Sequence, residues 1–452
     1  MKIPCIQPLE WLVVGLSFLQ PAMTAIQLNN LILVATALVL GSRFNLSEIS
    51  RLWLKAKGVS TLSYFFSDIK ISISEMQGLY AVRVLQTYPL RGGYFIIDDT
   101  MEHHTRLCQW IHGVCWLFDH VLHTNLQSKC LLFLYYSDGG LIKFPITFRI
   151  FYKEEGSRRP WQKQQAFVYK TKNELALEMI QWALELGFPE ATVLADSWFC
   201  VGPFIKGLRS LQLPYILEAK TSYTVKIPCQ TPKLTPTGRL AKHQFDLRSL
   251  PDYFQNIEFF IRCGFNRDLE NGKPQKVLYH TKIATVRFNA FAGKHRVVQS
   301  VDPAKGTTKY LITNQLHFEA NKIISAYSHR WIVEEFFRNA KQLSDMEGAT
   351  LRSEQGVTLA LCLVSWLDFL LHYQNYQGMT EGSQQESLSI PSIVRQAQAD
   401  NMEAFISKIQ NDEEFVKTWI KVTKDHINHV RKSFYELVDL GTDEAISLPE
   451  AA

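Results

Sequence analysis

The chain has 452 residues, of which 46% are apolar, 20% charged and 12% aromatic. At about 100–200 residues per domain this is material for two to four domains, and the composition excludes a disordered, collagenous or mucin-like chain. The net charge of +5 identifies no partner, but from Lys220 to Tyr310 there are 16 Lys and Arg against 6 Asp and Glu, a surplus that suits a polyanion-binding surface.

Eight cysteines at irregular spacing, with no CxxC pair, make no disulfide framework and point to a reducing cytoplasm. Three apolar runs resemble membrane segments: Trp11–Leu19, Leu31–Leu40 and Leu359–Leu371. Each is shorter than the ~20 residues a spanning helix needs, and the third is interrupted by Asp368, so all three are expected to be buried helices of a soluble protein.

Residues 1–90 read as helical. Leu28–Leu40 is a helix, Asn45 or Ser47 can cap a second over Ile49–Ala56, and a third starts near Thr61. Short helices and tight turns leave both a helix-turn-helix and plain helical packing open.

The periodicity changes at Tyr94. Over 91–219, Tyr94–Ile97, Leu131–Tyr136 and Leu141–Phe151 are strand-like, the last two joined by a hairpin at Asp138-Gly139-Gly140. Asn173–Leu186 follows as a helix stopping at Gly187, then strand Thr192–Ala195, helix Val201–Leu211 and strand Tyr215–Glu218. The order βββαβαβ predicts a mixed α/β sheet with acidic residues at the ends of some strands.

The basic segment, 220–310, mixes prolines with runs such as Ile257–Arg262 and Ile283–Phe288 and reads as a β-rich insertion. Residues 311–376 hold a long amphipathic helix, Glu319–Gln342, and a buried one, Val357–Tyr373. Residues 377–452 open with a polar linker, Gln377–Ser387, and end in a helical region over Met402–Leu437, exposed or partner-binding.

Three acidic positions stand apart. Asp98 and Asp196 each end a buried strand, and Glu334 lies on the long helix. At about 100° per residue, Tyr327, Arg330, Glu334 and Lys341 share a stripe, while Val333, Phe336, Phe337 and Ala340 form an apolar face. Arg330 and Glu334 at i,i+4 could be a surface ion pair, but such a pair does not require a Tyr and a Lys in register. Carboxylates from two strand ends and a helix are what a two-metal phosphoryl-transfer site needs, because paired divalent ions take hard oxygen ligands.

These residues resemble a bacterial insertion-sequence transposase of the DDE, RNase H-like superfamily, in the group with the signature Tyr-x2-Arg-x3-Glu-x6-Lys (YREK). Tyr327, Arg330, Glu334 and Lys341 match that signature in full, and FIIDDT, VLADSWF and HRWIVEEFFRNAKQ resemble the group's flanking words over about residues 91–376. The resemblance implies an RNase H-like mixed sheet flanked by helices, split by the β-rich insertion, with helical N- and C-terminal regions. It implies that Asp98, Asp196 and Glu334 bind two Mg²⁺ ions, with Mn²⁺ as a substitute, and that Tyr327, Arg330 and Lys341 contact DNA phosphates. The implied reaction is nicking of transposon ends to free a 3′-OH, then attack of that hydroxyl on target DNA. The implied partners are double-stranded DNA, at the terminal inverted repeats and the target, and a second copy of the chain on DNA, in the cytoplasm at the nucleoid. Asp99 is the alternative first aspartate. Adjacent residues of a strand face opposite ways, and the Asp-x-Ser/Thr pattern of RNase H-like first strands favours Asp98 with Thr100. A DNA-binding protein that has lost catalysis and an RNase H-like nuclease that cuts without joining are the competing classes.

Three other features invite a role. His103, His104, Cys108, His112, Cys115, His120 and His123 crowd together, but Cys108-x3-His112-x2-Cys115 is not a structural-zinc spacing, so core and surface positions are expected. Trp198 and Trp331 beside the site could stack on a DNA base, but packing is the expected role of both. Lys153–Lys172, rich in Lys and Arg, is either a solvated loop or a DNA-contacting one.

Overall fold

The computed structural model describes residues 3–54, 58–67, 72–104, 110–119, 122–153, 169–241, 244–258, 261–268, 274–349, 351–382 and 386–442. The N-terminal region is helical, as expected: α1 (Glu10–Gly15), α2 (Ala25–Val39), α3 (Leu46–Leu52), α4 (Val59–Ser67) and α5 (Ile73–Thr87). Side-chain caps set several of the starts. Thr24 and Gln27 form a reciprocal capping box on α2, the Asn45 carbonyl accepts the Glu48 N–H on α3, and Ser72 caps α5.

The central elements are β1 (Tyr94–His104), β2 (Cys115–Asp119), β3 (Thr124–Ser137), β4 (Lys143–Phe151), α6 (Lys172–Glu185), β5 (Thr192–Ala195), α7 (Gly202–Ser210) and β6 (Tyr215–Ala219). β3 pairs antiparallel with β1 on one edge and with β4 and β2 on the other, while β1, β5 and β6 run parallel. The lateral order β4-β3-β1-β5-β6, with helices against it, is RNase H-like. The hairpin at Asp138 is as expected: its carboxylate accepts the N–H groups of Gly140 and Ile142, and Gly139 takes a φ of +84°.

The structure corrects two sequence expectations here. Four strands precede α6, because Cys115–Asp119 alternates buried and exposed residues and pairs with β3. β1 does not end at Asp98 but runs to His104, its polar half held by continuous pairing to β3 and by Lys129 against Glu102 at 2.9 Å. What ends at that point is the parallel ladder to β5, whose last rung is Ile97 with Ala195.

The basic segment holds β7 (Thr224–Pro228), β8 (Phe245–Ser249), α8 (Leu250–Gln255), β9 (Ile261–Asp268), β10 (Pro274–Arg287) and β11 (Lys294–Val301), with β12 (Thr308–Thr313) running across its end. β7 and β8 form their own ribbon, whereas β12 pairs with β6 and carries β11, β10 and β9 outward, giving a ten-stranded sheet.

Next come α9 (Ala320–Ser328), α10 (Trp331–Gln342), α11 (Glu354–Thr380), α12 (Ile390–Asn411) and α13 (Glu413–Thr442). The single helix expected over Glu319–Gln342 is therefore two. At the break, the N–H groups of His329 and Arg330 bond three residues back, to Ala326 and Tyr327, and the His329 ring stacks on Tyr94 at 4.8 Å. The tighter turn rotates α10 relative to α9. The polar linker also begins later than expected, since α11 runs to Thr380, and α12 starts at Ile390, before Met402.

α11 is long and apolar enough to cross a membrane, but 89% of its most apolar window is buried in the protein. Trp366 meets Phe18, and Phe369 meets Tyr80, Tyr88 and Phe144, so α11 is the post on which the N-terminal helices and the edge of the sheet pack. Each such side chain contributes about 1.5–3 kcal/mol through burial.

Candidate active site

The parallel ladders place the acids. Ile97 pairs with Ala195, and Ala195 with Leu217, so Asp98, Asp196 and Glu218 each stand one residue beyond the same rung on three neighbouring strands. Neighbouring strands lie about 4.8 Å apart and in-register side chains share a face, which sets these three carboxyls in a row. Asp98 lies opposite Phe133, whose ring packs on Phe336 and Phe337, so its face is the one α10 covers.

Arg330 joins that face to the helix. Its guanidinium donates to Asp98 Oδ2 at 2.7 Å and to Glu334 Oε1 one turn along α10, and lies 5.9 Å from the Tyr327 ring. Burial works against the charge of Arg330, but Tyr327, Asp98 and Glu334 outweigh it and push its pKa up. The Asp98 carboxyl is pushed up to about 7, chiefly by burial, with Arg330 opposing and Asp196 and Asp99 adding to it. Asp196, whose Oδ1 accepts the Trp198 N–H at 3.0 Å, is also raised, again first by burial. Buried like charges at one strand end strain toward neutrality.

Of the six residues singled out by sequence, the structure brings Asp98, Asp196, Tyr327, Arg330 and Glu334 together. Tyr327 is not on the same helix as Glu334. It is buried on α9 and donates to Glu218 Oε2 at 3.0 Å. Lys341 lies further along β1, donating to the Met101 carbonyl at 3.0 Å and pairing with Glu347 at 2.8 Å. Val333, Phe336, Phe337 and Ala340 are all buried, as the apolar face requires.

Asp99 points the other way. Its Oδ2 accepts from Lys172 Nζ at 2.8 Å and from Cys130 Sγ at 3.3 Å. Trp198 and Trp331 are 39% and 45% exposed, more open than core packing would leave them. Of the His and Cys crowd, His103 meets Asp119, His104 meets Glu102 and His112 meets Tyr152; Cys108 and His120 lie outside the described residues, as does 154–168 of the basic loop.

Sequence reading missed Glu218, Lys309 and Lys172. Lys309 Nζ bonds Glu218 at 2.7 Å. Glu218 carried a readable signal, since it closes an apolar strand as Asp196 does, whereas Lys172 becomes visible only once β1 and α6 are packed.

The carboxyls are hard oxygen donors, and burial and neighbouring acids disfavour the ionised forms of Asp98 and Asp196, which suits a divalent cation such as Mg²⁺. Among the described residues, however, no three His, Cys, Asp or Glu side chains stand close enough to form a ready metal centre, and Arg330 bridges two of the acids.

No curated protein matches the chain. The family model described as transposase DDE domain matches residues 170–367, covering Asp196 and α10. The model described as DDE superfamily endonuclease matches residues 22–256, more than half of the chain and including both Asp98 and Asp196. With its RNase H-like sheet and its row of acids just past the end of the parallel ladders, the chain belongs to the DDE superfamily of endonucleases and transposases.

Proposed function

We propose that the protein is a DNA transposase of the YREK-signature group, which nicks transposon ends by metal-dependent hydrolysis and joins the freed 3′-OH to target DNA. The observation that carries this reading is the bridging of Asp98 and Glu334 by Arg330, with Asp196 at the matching position of the neighbouring strand, in a DDE-superfamily chain. Asp98, Asp196 and Glu334 would hold Mg²⁺ or Mn²⁺, and Arg330 would have to release the two acids it bridges. When bound, the cations supply a lowered pKa for the attacking water or hydroxyl and screening of charge on the phosphate.

The chain's own groups do the rest. Arg330 and Lys341, now tied to protein oxygens, exchange those partners for DNA phosphates, as charge-assisted contacts to phosphate favour. Tyr327, buried between Glu218 and Arg330, orients the guanidinium through its ring. The basic strands of 220–310 grip the end of the element with the helices of residues 1–90, around a core of 91–219 and 311–376, while 377–452 lies outside it. Two copies on DNA pair the two inverted repeats, in the cytoplasm.

The test uses wild type and Glu334→Gln with labelled DNA carrying the sequences that flank the gene, assayed with Mg²⁺, Mn²⁺ and EDTA. Cleavage and joining at a defined end, dependent on metal and abolished in the variant, is the expected result. Metal-dependent cutting without joining would mark a nuclease, binding without cutting a DNA-binding protein, and full cleavage by Glu334→Gln would overturn the site.

A further inference from the structure

We infer that Lys172 is a positioning residue of this site: it commits Asp99 to the α6 face of the sheet and so leaves Asp98 as the residue β1 supplies to the reaction. The inference rests on the transposase reading above and adds a residue that neither the signature nor the acidic row contains.

Asp98 and Asp99 are consecutive on β1 and differ by no chemistry of their own. Nothing in a bare strand decides which of them meets the other acids, since a slip of one residue exchanges their faces. What differs is what waits on each face. On one side are Arg330 and Glu334; on the other is Lys172, whose Nζ lies 2.8 Å from Asp99 Oδ2.

Lys172 is held there firmly. It is the first residue of α6, and a capping box fixes that turn: the Glu174 N–H donates to Thr171 Oγ1 at 3.2 Å, and the Thr171 N–H donates to Glu174 Oε2 at 2.7 Å. A cation in the first turn opposes the helix dipole, so helix formation does not explain a lysine at this position. Its side chain is largely buried, with Nζ 5.4 Å from the Phe151 ring and 5.0 Å from the Trp198 ring. The Trp198 N–H is also the group that holds Asp196 Oδ1, so one lysine is in contact with residues that support both Asp196 and Asp98. The Asp99 N–H in turn donates to Asp98 Oδ1 at 2.9 Å, so displacing Asp99 displaces its neighbour.

Loss of the lysine leaves a half-buried carboxylate without its cation, on the opposite face of β1 from Asp98 but near enough that its charge acts on Asp98 and Asp196. The site then attracts divalent metal more strongly, because a nearby positive charge is gone, yet holds it among the wrong oxygens. A residue needed only for packing would lower thermal stability and metal binding together. A positioning residue separates the two readouts.

The experiment compares wild type, K172M, D98N, D99N and the D99N/K172M double variant in three measurements: Mn²⁺ binding without DNA by electron paramagnetic resonance, metal-dependent nicking, and melting temperature. Expected is that D98N abolishes nicking whereas D99N retains it. K172M should bind Mn²⁺ about fivefold more tightly or better, as one uncompensated charge within several ångströms requires, while nicking slowly. The double variant should recover the nicking rate of D99N. The inference is overturned if K172M nicks like wild type, if D99N is as inactive as D98N, or if the double variant is no better than K172M. Should K172M fail to fold, D98N against D99N still decides which aspartate serves, and the double variant whether the lysine acts through Asp99. Absence of metal-dependent nicking in wild type would instead remove the transposase reading itself.

Discussion

Replacing Asp98 with asparagine should make the metal-free protein more stable while abolishing its chemistry. The Asp98 carboxyl is 15% exposed and titrates at about 7 in the fold, against an ordinary value of 3.8. A difference of about three pH units corresponds to about 4 kcal/mol between the ionised and neutral side chains, and relaxation around the charge reduces that to about 2–4 kcal/mol. Asparagine keeps the shape and an oxygen facing Arg330, but cannot ionise. Because the folded pKa lies above the unfolded one, the stability that Asp98 contributes is complete below pH 4 and lost as the pH rises to and through 7. The advantage of Asp98→Asn therefore grows from near zero at pH 4 to its full size above pH 7.5. For 452 residues melting as one unit, 1 kcal/mol is about 1 °C. Melting scans in EDTA at pH 4, 6 and 8.5 should show the variant ahead by about 2–4 °C at the highest pH. A variant that melts at or below wild type at pH 8.5, or whose lead is independent of pH, would refute the reasoning.

Two further outcomes follow from individual contacts. Tyr135 donates to Asp368 Oδ2 at 2.8 Å with both residues buried, so Tyr135→Phe should cost about 1–3 kcal/mol in urea unfolding. Burial pushes Asp368 up to about 7 and the tyrosine hydroxyl opposes it, so that cost should be larger at pH 8.5 than at pH 5. Lys341→Ala should weaken DNA binding and reduce the slope of log affinity against log salt by about 0.9, the loss of one phosphate contact; an unchanged slope would leave Lys341 to its bonds with Met101 and Glu347.

Much of this site could be read from the chain because its signals are local. Apolar strands ending in Asp196, and the i,i+4 spacing of Arg330 and Glu334, survive folding unchanged. The continuation of β1 past Asp98 was hidden because its residues are polar: the buried Glu102 is matched by Lys129, a partner 27 positions away. The break at His329 was hidden because no proline or glycine marks it, and its stacking partner, Tyr94, comes from another element. β2 was masked by cysteines and histidines that draw the eye to metal chemistry, although Cys115–Asp119 alternates as an edge strand does. Lys172 acquires meaning only through the packing of α6 on β1, which sequence spacing does not encode.

The ion pairs themselves predict an order of assembly. Arg330 neutralises Asp98 and Glu334, and Lys309 with Tyr327 holds Glu218, so most of the row of acids is matched before any DNA arrives. A phosphate that recruits Arg330 strips a guanidinium from two carboxylates at once, leaving them with a demand for positive charge. DNA should therefore tighten metal binding, and by linkage metal should tighten DNA binding by the same factor. The expected outcome is a Mn²⁺ affinity about fivefold or more higher with DNA than without. In Arg330→Met the acids are unbridged from the start, so Mn²⁺ should bind the free protein more tightly and most of the dependence on DNA should vanish. If Arg330→Met retains the full effect, the tightening comes from the charge of the DNA alone and the bridge plays no part in loading the site.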